Sequence, residues 1–316
     1  MRQNRVERRR RLAPWLLAAA SLPVAAAHAA PRYEVDLGTD YRRAALDWNI
    51  AGDLSGTNPN VLSELRWHDL EIAQVNATLR AEAGPVVLEA TGVYGVIVSG
   101  KNRDSDYLAD NRQLEFSRSD SESGGTVSEA GLGLGYRYRL YDATLRHYGD
   151  IIPMVGYSLH CQDLNIHNGV QTVPATGPIV GLDSQYDTRW QGPWLGARLQ
   201  LKGSPRTVLS FDFAYHFADY LADGNWNLRN DLAHPVSFRH QATGSGLVAA
   251  AAVSYRWNRR WSLAAHLDAE DWTAGPGVDT FFAVDTNTGK VQPEATRLNV
   301  VHWKSGAVGV SAEYRF

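Results

Sequence analysis

Hydrophobic and polar positions alternate along most of the chain. In "TVLSFDFAYHFADY", Leu209, Phe211, Phe213, Tyr215 and Phe217 alternate with Ser210, Asp212, Ala214, His216 and Ala218. "GLGLGYRYRL" sets Leu132, Leu134, Tyr136, Tyr138 and Leu140 against Gly133, Gly135, Arg137 and Arg139. The final "GAVGVSAEYRF" puts Gly306, Val308, Val310, Ala312, Tyr314 and Phe316 on one face and small or charged residues on the other. A period of two over such runs predicts strands whose two faces meet different surroundings. Helical periodicity is almost absent. The expected strands cover roughly 33–50, 62–83, 86–100, 128–140, 151–168, 188–202, 207–222, 238–257, 261–274 and 296–316.

The connections alternate as well. Short segments at 82–85, 141–150, 203–206 and 258–260 exchange with longer polar ones at 51–61, 101–127, 169–187, 223–237 and 275–295. This predicts an all-β fold: a closed antiparallel transmembrane β-barrel of about ten strands, with short periplasmic turns and long extracellular loops. A secreted β-sandwich also alternates, but its solvated face is rich in Lys and Glu. Here the polar sets mix Gly, Ala, Ser, Asp, His and Arg, which suits a confined lumen. Trp190, Trp194, Trp257, Trp261, Trp272 and Trp303, near strand ends, read as interfacial girdles.

The N-terminus changes the picture of the compartment. Arg2, Arg5 and Arg8 to Arg11 precede an apolar run from Leu12 to Ala27, and Ala27 and Ala29 offer a small-x-small cleavage site. Residues 1–29 thus read as a signal peptide and 30–316 as the barrel domain, exported to the outer membrane of a Gram-negative bacterium. Six of the 31 basic and one of the 34 acidic residues lie in that leader, leaving 25 against 33. A mature chain this acidic excludes nucleic acid as an expected partner. The lone Cys161 cannot form an internal disulfide and reads as a small filler.

Ten strands leave an interior close to filled by side chains. The inward Arg137, Arg139, Asp212, His216, Arg256, His266, Asp268 and Glu270 are therefore expected to pair across the lumen, which disfavours free diffusion and moves function toward the outer segments. There, Asp104 and Asp106 stand two apart and project to one side of an extended backbone. Such a pair can position a water or bind a cation, although it also suits a solvated acidic loop. No nucleotide-binding loop, cysteine metal motif or GxSxG elbow occurs. Cys161, Asp163, Asn165 and His167 share a face but lack a partner set, so no metal and no cofactor are expected.

"LGT" at 37–39, "VLSELRW" at 61–67 and "DSDY" at 104–107 resemble segments of the omptins, ten-stranded outer-membrane proteases. That resemblance implies Asp104 and Asp106 as one half of a water-activating site, lipopolysaccharide as a bound lipid and basic residues around a cleaved peptide bond. The other half, an Asp-x-His pair, is absent. Its nearest counterpart is Asp231 with His234 in "NDLAHP", three apart, a spacing that turns the side chains to opposite sides unless a turn intervenes. A fuller similarity, through "LDWNIAG", "GTNPNVLSELRW", "GLDSQYDTRWQGPWLG" and "NWNLRNDLAHP", is to the Protochlamydia outer membrane protein group, described as porin-like. Three functions stay open: a ligand-binding or porin-like barrel, an omptin-type endopeptidase using Asp104, Asp106, Asp231 and His234, and a structural or adhesive surface protein. Expected partners are outer-membrane lipid, lipopolysaccharide and the barrel-assembly machinery, the last through the C-terminal strand ending in Phe316.

Overall fold

The computed structural model describes residues 30–285 and 287–316; the expected signal peptide lies outside the described residues. Thirteen strands follow one another: β1 (Arg32–Ile50), β2 (Ser63–Ala83), β3 (Val86–Ala109), β4 (Gln113–Tyr136), β5 (Tyr138–Tyr141), β6 (His147–Val173), β7 (Ala175–Pro178), β8 (Asp183–Lys202), β9 (Thr207–Asn225), β10 (Phe238–Arg256), β11 (Trp261–Ala274), β12 (Gly277–Val284) and β13 (Val291–Arg315). Ten of them form a ring in the order β1-β2-β3-β4-β6-β8-β9-β10-β11-β13, and β13 pairs back to β1 from Glu34↔Arg315 to Ile50↔Leu298. All neighbours are antiparallel, and among the described residues each of the ten ring strands is paired on both sides. β5 and β7 flank β6, while β12 bridges β10 and β13 at the outer end.

Chain parity decides which side chains face out. Leu209, Phe211, Phe213 and Phe217 of β9 are exposed, as are Leu88, Tyr94, Val96 and Val98 of β3. On β13, Val308 and Val310 are 54% and 58% exposed, whereas Ala307 beside them is 8% exposed and Gly309 between them is buried. A continuous apolar belt on the outside of a closed barrel is a lipid-facing surface.

The outer connections differ from the expectation. Most of the stretch 101–127 is not loop: β3 and β4 continue as a long hairpin and turn only at 110–112. β6 and β8 likewise extend into 169–187, β9 into 223–225, and β12 and β13 into 275–295. The register between β3 and β4 slips between Ile97 and Lys101, where Gly125 takes a φ of +126°. Beyond that bulge the hairpin leaves the lipid: its outer face meets water and its inner face turns polar residues such as Asn102, Asp104 and Asp106 into an extracellular cup, so the apolar/polar contrast vanishes although the ladder persists. Polar residues on both faces read as loop in sequence for that reason.

Inside, the barrel is layered. Trp67, Trp190, Trp272, Trp303 and Tyr186 are fully buried and form an aromatic floor with Trp48, Tyr220 and Phe238. Trp67 stacks on Tyr186 at 5.2 Å, and Trp190 lies 4.3 Å from Tyr220 and 5.8 Å from Trp272. Trp190, Trp272 and Trp303 were expected in the membrane girdles, and the structure corrects this. Each shares parity with inward polar residues of its own strand, so the pleat turns it into the lumen. Trp194 also faces the lumen, against Met154, while Trp257 and Trp261 are exposed at the periplasmic end.

Below the floor lies a charged lumen. Arg80 pairs with Glu34 at 3.1 Å and Glu89 at 2.8 Å, and Arg198 pairs with Glu89 at 2.7 Å and Asp212 at 2.5 Å. Arg137 pairs with Glu82, His266 with Asp40 at 2.5 Å, and Glu270 with Arg42 at 3.5 Å. His266 also reaches Asp268 at 3.8 Å, and His216 Nδ1 sits 2.9 Å from the Ser158 hydroxyl. Six of the eight residues expected to pair across the lumen therefore have a polar partner, but for only four, Arg137, His216, His266 and Glu270, does it come from a strand beyond the direct neighbour. Asp212 meets its register partner Arg198, and Asp268 meets His266 of its own strand. Arg139 and Arg256 are the exceptions: both stay exposed at the periplasmic rim and have no ion-pair partner among the described residues.

Candidate functional site: an extracellular cup over an aromatic floor

The strand extensions above the membrane enclose a cup of about 620 Å³. Its walls are apolar over much of their area, with Phe116, Leu182, Trp226, Leu228 and Phe281 among them, and Trp48 and Phe238 form its base. Asp104 and Asp106 project into it from β3, in register with Leu65 and Ser63 of β2 and with Ser119 and Ser117 of β4. The lipid-facing apolar residues of β3 end at Val98, so both carboxylates stand clear of the membrane-spanning part.

The pair is electrostatically strained. Burial, and then the neighbouring charge of Asp106, hold the Asp104 carboxyl well above the usual carboxylate range, with Arg229 pulling it back. Asp104 Oδ1 is buried without a hydrogen-bond partner among the described residues. Asp106 is also raised, chiefly by burial, while the Ser63 and Ser117 hydroxyls and Arg229 act against the rise. Two carboxylates sharing a low-dielectric wall hold protons more tightly than either would alone.

Arg229 enters the cup from the connection between β9 and β10, where its backbone N–H closes a turn on the Trp226 carbonyl at 2.9 Å. Its guanidinium donates two bonds to Asp231, Nε–Oδ1 at 2.8 Å and Nη2–Oδ2 at 2.6 Å. That contact holds the Asp231 carboxyl below its usual range. His234 is exposed, with Nδ1 2.8 Å from Asn225 Oδ1. The structure thus brings Asp104 and Asp106 together but gives Asp231 and His234 separate partners. Between them, Leu232 and Ala233 pair with Ala283 and Phe282 of β12 instead of closing a turn, so no imidazole–carboxylate contact forms.

A different imidazole and carboxylate meet at the cup. His240 of β10 and Asp279 of β12 are 0% and 2% exposed, and His240 Nε2 lies 3.4 Å from Asp279 Oδ1. His240 Nδ1 is 2.8 Å from the Tyr186 hydroxyl, which is itself 2.7 Å from Tyr220, and Thr296 donates to Asp279 Oδ2 at 3.2 Å. Asp279 lines the cup. β3 and β10 are five places apart in a ring of ten, so this pair occupies the wall facing Asp104 and Asp106. Sequence reasoning missed it because Asp279 lies in a segment read as loop. The parity of Phe238, His240 and Ala242 was the available signal for an inward His240.

A ring of ten antiparallel strands with a lipid-facing belt, a closed lumen and an extracellular cup defines an outer-membrane β-barrel protein. The chain belongs to the Protochlamydia outer membrane protein family, whose model matches residues 36–316. Among solved structures it is similar to the outer membrane protease OmpT from Escherichia coli, with a TM-score of 0.69, 13% identity and coverage of 90% of this chain and 96% of that one. At that identity the likeness is one of fold. The toluene transporter TodX from P. putida matches with a TM-score of 0.31 and 11% identity over 90% of each chain, too low to bear on function. No curated protein matches the sequence.

Proposed function

We propose that this barrel is an outer-membrane binding protein whose extracellular cup takes a small ligand with an apolar body and a cationic group. The observation that carries this reading is the buried, unpartnered Oδ1 of Asp104 in an otherwise largely apolar cup. A buried carboxylate oxygen without a donor is costly, and a ligand cation is the group that relieves it. The volume of about 620 Å³ lies within the range of small-molecule sites. Asp104, Asp106 and Asp279 outnumber Arg229 in the lining, and Arg229 is already engaged by Asp231. The aromatic floor beneath argues for binding over porin-like passage. Export by the N-terminal leader, contact with lipopolysaccharide along the outer belt and assembly through the strand ending at Phe316 belong to the same reading.

The test is titration of the refolded barrel with hydrophobic primary amines, read by quenching of Trp48 and Trp226, beside Asp104→Asn. Saturable quenching that weakens in the variant supports the cup. Equal affinity for neutral alcohols of the same shape sinks it.

A second reading, an omptin-type endopeptidase, is favoured by one observation: the carboxylate pair faces an imidazole–carboxylate pair across the same cup. His240 and Asp279 replace Asp231 and His234 in that reading. Cleavage of a quenched dibasic peptide with added lipopolysaccharide, lost in Asp104→Asn and His240→Ala, is the result it requires.

A further inference from the structure

The lower lumen ends, just beneath the aromatic floor, in a group of side chains that neither reading above uses. Glu129 of β4, His160 of β6 and Glu270 of β11 each offer one ligand atom, and these atoms lie within 4.8 Å of one another. His160 is 8% exposed, and neither of its ring nitrogens has a hydrogen-bond partner among the described residues. Its Nδ1 points at Glu129 Oε2 from 3.7 Å. That distance is too long for a hydrogen bond. It is close to the separation of two donors on one tetrahedral ion, about 3.4 Å when each donor sits ~2.1 Å from the metal.

The carboxylates are held for such a role from behind. Arg42 pairs with Glu129 Oε1 and stands 3.5 Å from Glu270 Oε1. Trp303 Nε1 donates to Glu270 Oε2 at 3.3 Å. Glu129 is thus fixed through Oε1 while Oε2 faces His160, and both Glu270 oxygens are oriented by long contacts that leave each a lone pair, the outer-shell support that preorganises protein metal sites. The charge balance points the same way. Glu129 and Glu270 leave one excess negative charge against Arg42, and Asp40 and Asp268 stand next to them around His266. Simple ion pairing explains the arginine and the two glutamates, but leaves a buried imidazole facing a carboxylate it does not reach.

We propose that Glu129, His160 and Glu270 form a binding site for a divalent transition-metal ion of the zinc class, reached from the periplasm. Two carboxylates and one imidazole form a mixed oxygen and nitrogen set suited to such ions. All three residues line a cavity of about 780 Å³ that extends to Arg32, Arg206 and Arg256 at the periplasmic strand ends. The ion would tie β4 and β6 to β11 across the lumen, so binding also stabilises the closed barrel. Sequence reading expected no metal because the three ligands come from strands far apart in the chain.

The experiment is calorimetric titration of the refolded, chelator-stripped mature chain with Zn²⁺, beside His160→Ala and Glu270→Gln, and zinc-edge anomalous diffraction from zinc-soaked wild-type crystals. The expected result is one ion per chain, a rise in thermal midpoint on binding, an affinity about 100-fold lower in each variant, and an anomalous peak between Glu129 and His160. His302→Ala, which alters a histidine outside this group, keeps wild-type affinity. Folding of each variant is checked by heat-modifiable gel migration, and if either fails to fold the position of the wild-type peak decides. No stoichiometric binding, a peak at Asp104 and Asp106, or wild-type affinity in both folded variants overturns the assignment.

Discussion

Asp104 carries the strongest consequences of any single residue. Its proton is held more tightly in the folded barrel than in the unfolded chain, so its ionised form is a penalty on folding at neutral pH. The sign is therefore opposite to ordinary acid denaturation. The penalty is fully present above the raised folded value and is relieved as pH falls toward the ordinary range of an unfolded Asp. Asp104→Asn keeps the shape and removes the charge. It is expected to raise the thermal midpoint at pH 7 while weakening a bound ammonium ligand by about 10- to 100-fold, as loss of a charge-assisted bond does. Wild-type affinity for the amine should fall as pH is lowered through the raised value, and the variant should show a flat profile. Parity made the shared face of Asp104 and Asp106 legible in sequence. The facing pair, His240 and Asp279, was not legible, because their 3.4 Å approach depends on β12 bridging β10 and β13.

At the level of elements, the transition from membrane strand to extracellular hairpin rests on Gly125. A Cβ there would lie 1.9 Å from the Asp163 carbonyl oxygen of β6, and the φ of +126° is one that L side chains rarely adopt. Gly125→Val is expected to lower the folded fraction on heat-modifiable gels and to cost about 3 kcal/mol or more, from strain and steric displacement together. In the lower lumen, Arg198→Met leaves Glu89 to Arg80 alone and half-buried Asp212 without an ion-pair partner among the described residues, and is expected to cost about 1–3 kcal/mol in urea unfolding. The ten ring strands and their order were readable from period two, whereas β5, β7 and β12 were not. The outer strand ends were not, because above the membrane the two faces no longer differ in polarity.

For the whole molecule, the aromatic floor separates two compartments that together run the length of the barrel. The refolded protein is therefore expected to show little steady ion conductance in a planar bilayer. Trp190→Ala with Trp272→Ala removes two fully buried rings and is expected to open measurable conductance, if the ion-pair layer below keeps the barrel closed as a ring. Steady conductance by the wild type at the level of an open pore would mean that the floor does not seal. Each truncation is also expected to cost about 3–5 kcal/mol, since the vacated volume is only partly refilled. The parity of Trp272 with His266, Asp268 and Glu270, and of Trp190 with Arg198, already marked these rings as inward. Composition at strand ends suggested girdles instead, and parity was the better guide.

By itself the sequence determined what depends on neighbours along the chain: the ten strands of the ring, the lipid-facing parity, the common side of Asp104 and Asp106, and the charges turned inward. These follow from the two-residue repeat of an extended backbone, which is a local property. Only the tertiary structure decided which inward residues meet. Closing ten strands into a ring sets β3 against β10, and β4 and β6 against β11, at distances that sequence separation does not encode. The cup facing the outside and the carboxylate–imidazole group beneath the floor are both products of that closure.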